Sequence, residues 1–91
     1  MGGSDRQRVF DSDFLEDLGF WVSTDRKKAL KILELVVAIR RDPCVGVGKP
    51  EPLRHLGAGV WSRSITQEHR LAYKVKDDKI LFAQARYHYG S

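Results

Sequence analysis

Ile80-Leu-Phe-Ala-Gln-Ala-Arg-Tyr-His-Tyr89 is the stretch from which the fold is read. Its side chains sort into two rows of every second residue: Leu81, Ala83, Ala85, Tyr87 and Tyr89 on one side, Ile80, Phe82, Gln84, Arg86 and His88 on the other. That period predicts a β-strand from Ile80 to Tyr89. The first half is apolar enough for a core, while the end gathers Arg86, Tyr87, His88 and Tyr89 in consecutive positions. A cation, a titratable imidazole and two stacking phenols are groups that a site for a nucleic acid or phosphate ester uses.

Upstream, the same period recurs twice. His69 to Val75 alternates Leu71, Tyr73 and Val75 against Arg70, Ala72 and Lys74, and Val60 to Ile65 alternates Trp61, Arg63 and Ile65 against Ser62 and Ser64. Lys76-Asp-Asp-Lys79 reads as the turn into the last strand, so residues 60–89 form a meander.

The N-terminal half has helical spacing. After a short strand at Arg8-Val9-Phe10, Asp11 or Ser12 caps a helix in which Phe14, Leu15, Leu18 and Trp21 recur on one face. Phe20 and Trp21 are expected to pack in the core or against the next helix. Ser23-Thr24 is expected to break this helix and cap a second, from about Asp25 to Arg41. Its expected buried stripe is Ala29, Ile32, Leu33, Val36 and Ile39, widened by Leu35 and Val37. Arg40 and Arg41 complement the helix dipole before Pro43 stops it. The chain is therefore α+β, with two N-terminal helices packed on one face of a mainly antiparallel, twisted sheet. The other face is left open, and there Arg63, Arg70 or His88 can converge.

One long irregular connection remains, Cys44-Val-Gly-Val-Gly-Lys-Pro-Glu-Pro52. Its Gly-Lys run lacks the glycine spacing and the Ser/Thr of a Walker loop, which excludes a nucleoside-triphosphate site of that kind. Pro50 and Pro52 stiffen the backbone on both sides of Glu51, so its carboxylate is rigidly presented. A carboxylate between prolines is by itself as consistent with an exposed loop as with a base.

The 91 residues, 42% hydrophobic and 31% charged, make one soluble domain over residues 6–89. Residues 1–5 read as an appended leader and 90–91 as a tail. No apolar run approaches the ~20 residues that span a bilayer, so no membrane is expected. Cys44 stands alone, which fits a reducing cytoplasm, and it is expected to be half-buried and inert. His55, His69 and His88 are too scattered for a metal site, and no cofactor is called for. The net charge of +4 is uneven: residues 1–23 balance to −3, residues 24–50 to +4 and residues 51–91 to +3. A basic body with an acidic first helix suits an anionic partner such as RNA.

Four segments then carry a resemblance. Lys49-Pro-Glu-Pro-Leu53, Trp61-Ser-Arg63, Glu68-His-Arg-Leu71 and Arg86-Tyr-His-Tyr89 resemble, in order and spacing, the YoeB toxins of the RelE superfamily of bacterial toxin–antitoxin systems. The similarity runs from about Arg8 to Tyr89. It implies a RelE-like, microbial-RNase-like fold and an endoribonuclease that cuts mRNA in the A site of the 70S ribosome. It also implies neutralisation by a YefM-type antitoxin, and often a homodimer. By position, the family's general base falls on Glu51, its phosphate-binding arginine on Arg70, its general acid on His88 and its terminal tyrosine on Tyr89. Supporting RNA- or phosphate-binding positions fall on Lys49, Arg54 and Arg63. Two departures are Ser64, where relatives often carry a second arginine, and Gly90-Ser91 after the tyrosine that usually ends the chain.

The residue types suit the chemistry. Cutting RNA by its own 2′-hydroxyl needs a base, an acid for the 5′-oxygen and cations on the phosphate. Glu51 can be the base, His88 the acid, and Arg70 with Arg54 or Arg63 the forked cations, while Tyr89 can stack on a nucleotide. His55 and His69 are expected to be structural, or to support the site from behind rather than take part in it, with His69 pointing to the face opposite Arg70. The alternative of another class is a non-catalytic module of the same fold that binds RNA, ribosome or antitoxin, with Ser64 marking lost activity.

Overall fold

The computed structural model describes residues 6–87, so the expectations for residues 1–5, His88, Tyr89 and Gly90-Ser91 lie outside the described residues. The elements run β1 (Gln7–Phe10), α1 (Ser12–Thr24), α2 (Arg26–Arg41), β2 (Glu51–Pro52), a 3-10 turn (Arg54–Leu56), β3 (Val60–Ser64), β4 (Arg70–Val75) and β5 (Lys79–Gln84). The strands form one sheet in the order β1-β5-β4-β3-β2. Only β1 and β5 pair in parallel; the other neighbours are antiparallel.

The acidic start of α1 forms as its sequence dictates. Asp11 is extended and its carboxylate accepts the N–H of Asp13, satisfying one of the orphan donors of the first turn. The break between the helices falls later than Ser23-Thr24. Both residues stay helical, and the Thr24 hydroxyl donates back to the Phe20 carbonyl. Asp25 is the residue that leaves the helical region, with φ −159° and ψ 92°. Its N–H still reaches the Trp21 carbonyl and its carboxylate pairs with Lys28, so one residue ends α1 and begins α2.

Packing selects a narrower stripe on α2 than expected. Ala29, Ile32, Leu35, Val36 and Ile39 are buried, whereas Leu33 and Val37 are about half exposed, at 48% and 55%. The spacing 29, 32, 36, 39 centres the stripe, and Leu33 lies too far round the helix to reach the sheet. On α1, Phe14 and Trp21 are buried, but Leu15 faces outward. Facing them from the sheet are Leu71, Tyr73, Ile80 and Phe82. Each large apolar side chain buried here contributes about 1.5–3 kcal/mol relative to exposure. Cys44 is exposed, contrary to the half-buried place expected for it.

Directly opposed residues share a face of a sheet, so the pairings sort the side chains. Trp61–Tyr73, Arg63–Leu71 and Tyr73–Phe82 lie toward the helices. Glu51–Ser62, Ser62–Ala72, Ala72–Gln84 and Ser64–Arg70 lie on the other face. Between β4 and β5 the register slips: Ala72 opposes Gln84 while Tyr73 opposes Phe82, which leaves Ala83 as the extra residue of a bulge. The bulge reverses the alternation. Phe82 faces the core, Gln84 the opposite side, and Ala85 the core again, fully buried. The unbroken rows expected from Ile80 to Tyr89 are therefore interrupted, and β5 ends at Gln84.

Candidate functional site

The last two residues of the connection from α2 are not loop but β2, a two-residue edge strand on β3. Pro52 can occupy it because a free edge needs no second N–H. Antiparallel pairing puts Glu51 opposite Ser62, on the face away from the helices, with its side chain 61% exposed. Arg70, at the start of β4, lies across Ser62 on that same face with only 11% of its side chain exposed. Its Nε donates to the Ser62 hydroxyl at 2.7 Å, and its Nη2 to the carbonyls of Lys49 at 3.0 Å and Ser62 at 3.3 Å.

The Glu51 carboxylate stands 3.6 Å from Nη2 of Arg70. That is close enough for charge attraction but longer than a hydrogen bond. The guanidinium is thus held by neutral acceptors, not by the acid. A carboxylate that is exposed and not tied down can turn toward a hydroxyl and take its proton. The Nη1 group of Arg70 has no hydrogen bond to a described residue.

Arg63 is not part of this face. It was expected there as a phosphate-binding cation, but its pairing with Leu71 turns it toward the helices, where it is fully buried. Its Nε donates to the Tyr73 hydroxyl, Nη1 to the carbonyl of Val47, and Nη2 to those of Asp42 and Val45. A buried charge is tolerable only when its donors are satisfied, and residues 42–47 supply the acceptors. Arg63 is the post around which the connection to Glu51 is wound. Burial holds the Tyr73 phenol above its usual pKa of 10.0, outweighing the opposite pull of Arg63.

The segment after β5 is pinned from several sides. The Ala85 N–H donates to the Asp17 carboxylate at 2.9 Å, and the indole N–H of Trp21 donates to the Ala85 carbonyl at 2.8 Å. Arg86, grouped by sequence with the terminal cluster, sits over the ring of Phe20, its Cζ 3.7 Å from the centroid. Its cation therefore serves packing on α1. The Tyr87 N–H donates to Nδ1 of His69 at 2.8 Å, and the Tyr87 carbonyl accepts the N–H of Arg70 at 3.0 Å. As expected, His69 is a structural histidine: its ring stands edge-on to Trp21.

Two non-glycine residues among those described have positive φ, Lys49 at 54° and Tyr87 at 66°. Such backbones cost on the order of 1 kcal/mol and persist where the surroundings over-determine them. Lys49 is two residues before Glu51, and its carbonyl is held by Arg70. Tyr87 is one residue before His88. Lys49 and Arg54 are both exposed, and their side-chain cations make no hydrogen bond or ion pair with a described residue. Arg54 lines a shallow cleft with Pro52, Gly57 and Trp61. Of the expected site residues, then, Glu51, Arg70 and the Lys49 carbonyl are brought together and Arg63 is not; His88 and Tyr89 lie outside the described residues. No helix among those described is long and apolar enough to cross a membrane, and no three His, Cys, Asp or Glu side chains are grouped to hold a metal there.

The clamp of Asp17, Trp21 and His69 on residues 85–87 was not anticipated. Its one sequence signal was that a buried Trp or His needs a partner for its ring nitrogen.

Comparison with known proteins agrees with this fold. The family described as "YoeB-like toxin of bacterial type II toxin-antitoxin system" matches residues 10–89. A Mycobacterium bovis protein named Toxin YoeB is 51% identical over 80 residues, which are 88% of this chain and 94% of that protein. The Staphylococcus aureus YoeB dimer structure superposes with a TM-score of 0.84 at 38% identity, covering 94% of this chain and all of that one. The YoeB–YefM complex from the same organism superposes at 0.78 with 38% identity, covering 92% of this chain and 98% of that chain.

Proposed function

The chain belongs to the YoeB-like toxins of bacterial type II toxin–antitoxin systems, and we propose that it halts translation as a ribosome-dependent endoribonuclease. The observation that carries this reading is the pairing of an exposed, untethered Glu51 carboxylate with an Arg70 guanidinium anchored on Ser62 and Lys49.

In the proposed reaction Glu51 takes the proton of a ribose 2′-hydroxyl. The 2′-oxygen attacks the adjacent phosphorus, and the bond to the 5′-oxygen breaks as His88 delivers a proton to that leaving group. Arg70 balances the charge that grows on the phosphate oxygens. Being pre-fixed by Ser62 and Lys49, it need not reorganise as that charge develops. The products are a 2′,3′-cyclic phosphate upstream and a 5′-hydroxyl downstream. Lys49 and Arg54, exposed on the same segment as Glu51, supply further positive charge for RNA, and Tyr89 stacks on a nucleotide. Arg63 contributes only by shaping residues 42–48.

The 70S ribosome is the proposed setting and mRNA in its A site the substrate. A YefM-type antitoxin is the proposed inhibitor and a homodimer the proposed assembly, as the Staphylococcus aureus relatives are described.

The test is primer extension on an mRNA translated in a purified system, with wild type beside Glu51→Gln and His88→Ala. New ends at the decoding site with wild type, reduced about 10²- to 10⁴-fold in either variant, are expected. Arrested translation without new ends would instead identify a binding module, and a linear 3′-hydroxyl end would exclude attack by the 2′-oxygen.

A further inference from the structure

We propose that His69, which takes no part in the reaction above, is a positioning residue for it: its Nδ1 holds the backbone from which the general acid is presented. The inference rests on the nuclease reading of the same face. It starts from a mismatch between where β5 ends and where the chemistry is wanted. The ladder stops at Gln84, so sheet hydrogen bonds no longer dictate the path of residues 85–87. A misplacement of about 1 Å in a reacting group can cost on the order of 10²-fold.

Side chains replace the ladder. Asp17 and Trp21 of α1 take the N–H and carbonyl of Ala85, Phe20 of α1 underlies Arg86, and His69 takes the N–H of Tyr87. His69 is the decisive member for two reasons. It bonds the residue immediately before His88, at the position where φ is 66° and an L-residue needs outside support. It is also next in sequence to Arg70, whose own N–H closes on the Tyr87 carbonyl. Both backbone polar groups of Tyr87 are thus held by residues 69 and 70. The phosphate-binding arginine and the segment leading to the acid share one anchor.

The His69 ring is packed and its backbone is held. It stands edge-on to Trp21 with centroids 4.9 Å apart, and Ile65 and Thr66 both donate to its backbone carbonyl. Because Nδ1 accepts an N–H, the neutral ring carries its proton on Nε2. The role asked of His69 is that of an acceptor, and an amide oxygen can fill it. The Oδ1 of Asn is attached at the same carbon as Nδ1, so His69→Asn retains the acceptor while His69→Leu removes it.

Cleavage kinetics on programmed ribosomes, with hydrogen exchange at the Tyr87 amide, test the proposal. For His69→Leu, a fall in kcat of about 30- to 100-fold with KM within about threefold is expected, and the Tyr87 amide loses its protection. His69→Asn recovers most of kcat and restores protection. Should His69→Leu fail to fold, Trp21→Phe keeps the ring and removes the N–H to Ala85; it is expected to lower kcat in the same direction. Equal loss in His69→Asn and His69→Leu would make the histidine a direct participant and overturn the proposal. So would wild-type kcat in His69→Leu or Trp21→Phe, or a loss carried wholly by KM. A wild type that stops translation without cutting would remove the nuclease reading and the positioning role together, whereas one that cuts beside an equally active His69→Leu removes the positioning role alone.

Discussion

Arg63 on β3 donates its Nε to the hydroxyl of Tyr73 on β4, and the same hydroxyl donates onward to the carbonyl of Pro43. The guanidinium's remaining donors reach the carbonyls of Asp42, Val45 and Val47. An arginine–phenol pair under the helices thereby dictates the course of the chain that, a few residues later, becomes Lys49 and Glu51. The carboxylate on one face of the sheet is placed by a cation buried on the other.

Replacing Arg63 with Met should leave those carbonyls without donors, each at a cost of about 1–3 kcal/mol. Since such costs are not additive, a total loss of about 3 kcal/mol is expected in urea denaturation, or about 12–24 °C in melting temperature for a domain of this size. Arg63→Lys should recover only part, because an ammonium cannot reach acceptors set out for a planar fork. In the folded fraction of Arg63→Lys, the salt dependence of RNA binding should equal that of wild type, whereas losing a phosphate contact would flatten its slope by about 1.

Tyr73 should set an alkaline limit. Its phenol binds its proton more tightly in the folded chain than in the unfolded one, chiefly because burial disfavours the phenolate. The folded state therefore holds more protons above the unfolded pKa of about 10, and stability falls as pH rises through the folded pKa. Below that window the contribution is fully present. Denaturation curves from pH 8 to 12 should show the decline in wild type and a shallower one in Tyr73→Phe. Equal slopes would mean that other groups govern the alkaline limb.

Gly48 closes the same cradle. Its φ is 86°, and a Cβ built there would meet Cδ2 of Leu35 at 2.9 Å and Cβ of Arg63 at 3.1 Å. Gly48→Ala combines an unfavourable backbone with overpacking, each costing on the order of 1 kcal/mol or more. Chemical denaturation should register a loss of about 2 kcal/mol; an unchanged midpoint would show that the connection yields freely.

These residues mark what the sequence could and could not disclose. The order of the helices and long strands, most of the α2 stripe and the face bearing Arg70 follow from periodicity; Glu51 read as loop, because a two-residue edge strand is too short to show a period. Arg63 was misplaced because an arginine ordinarily reads as surface. Its own row, Trp61-Arg63-Ile65, was the apolar one, and its acceptors are backbone carbonyls that no sequence pattern displays. The bulge at Ala83 was invisible for a related reason: an extra residue among small side chains leaves alternation ambiguous, yet it moved Gln84 and Ala85 to opposite faces. The late break falls at Asp25, whose carboxylate pairs with Lys28 three residues on; the capping preference of Ser23 and Thr24 pointed one or two residues too early.

Arg70→Lys should separate positioning from charge. Lysine keeps the positive charge but cannot donate at once to the Ser62 hydroxyl, the Ser62 carbonyl and the Lys49 carbonyl while presenting a further N–H to phosphate. A drop of about 10²-fold in kcat is expected in single-turnover cleavage, the scale seen when one transition-state donor is lost. The same variant should loosen residues 49–51, measurable as faster amide exchange at Glu51. Retained kcat would show that a point charge suffices.

Ser64→Arg is the change expected to strengthen the protein's hold on RNA. Ser64 opposes Arg70 across the β3–β4 ladder, so a guanidinium placed there emerges on the same face as Arg70 and Glu51. The cost is one local hydrogen bond, from the Ser64 hydroxyl to the Thr66 carbonyl at 2.9 Å, worth about 1 kcal/mol. A new contact to a single-stranded phosphate releases a counterion and steepens the dependence of log affinity on log salt by about 0.7. Binding of a short, uncleavable 2′-deoxy-substituted RNA, titrated from low to physiological salt, should therefore show tighter association at the low end and the steeper slope. If the slope stays at the wild-type value, the arginine does not reach the backbone, and this end of β3 lies outside the path of the RNA.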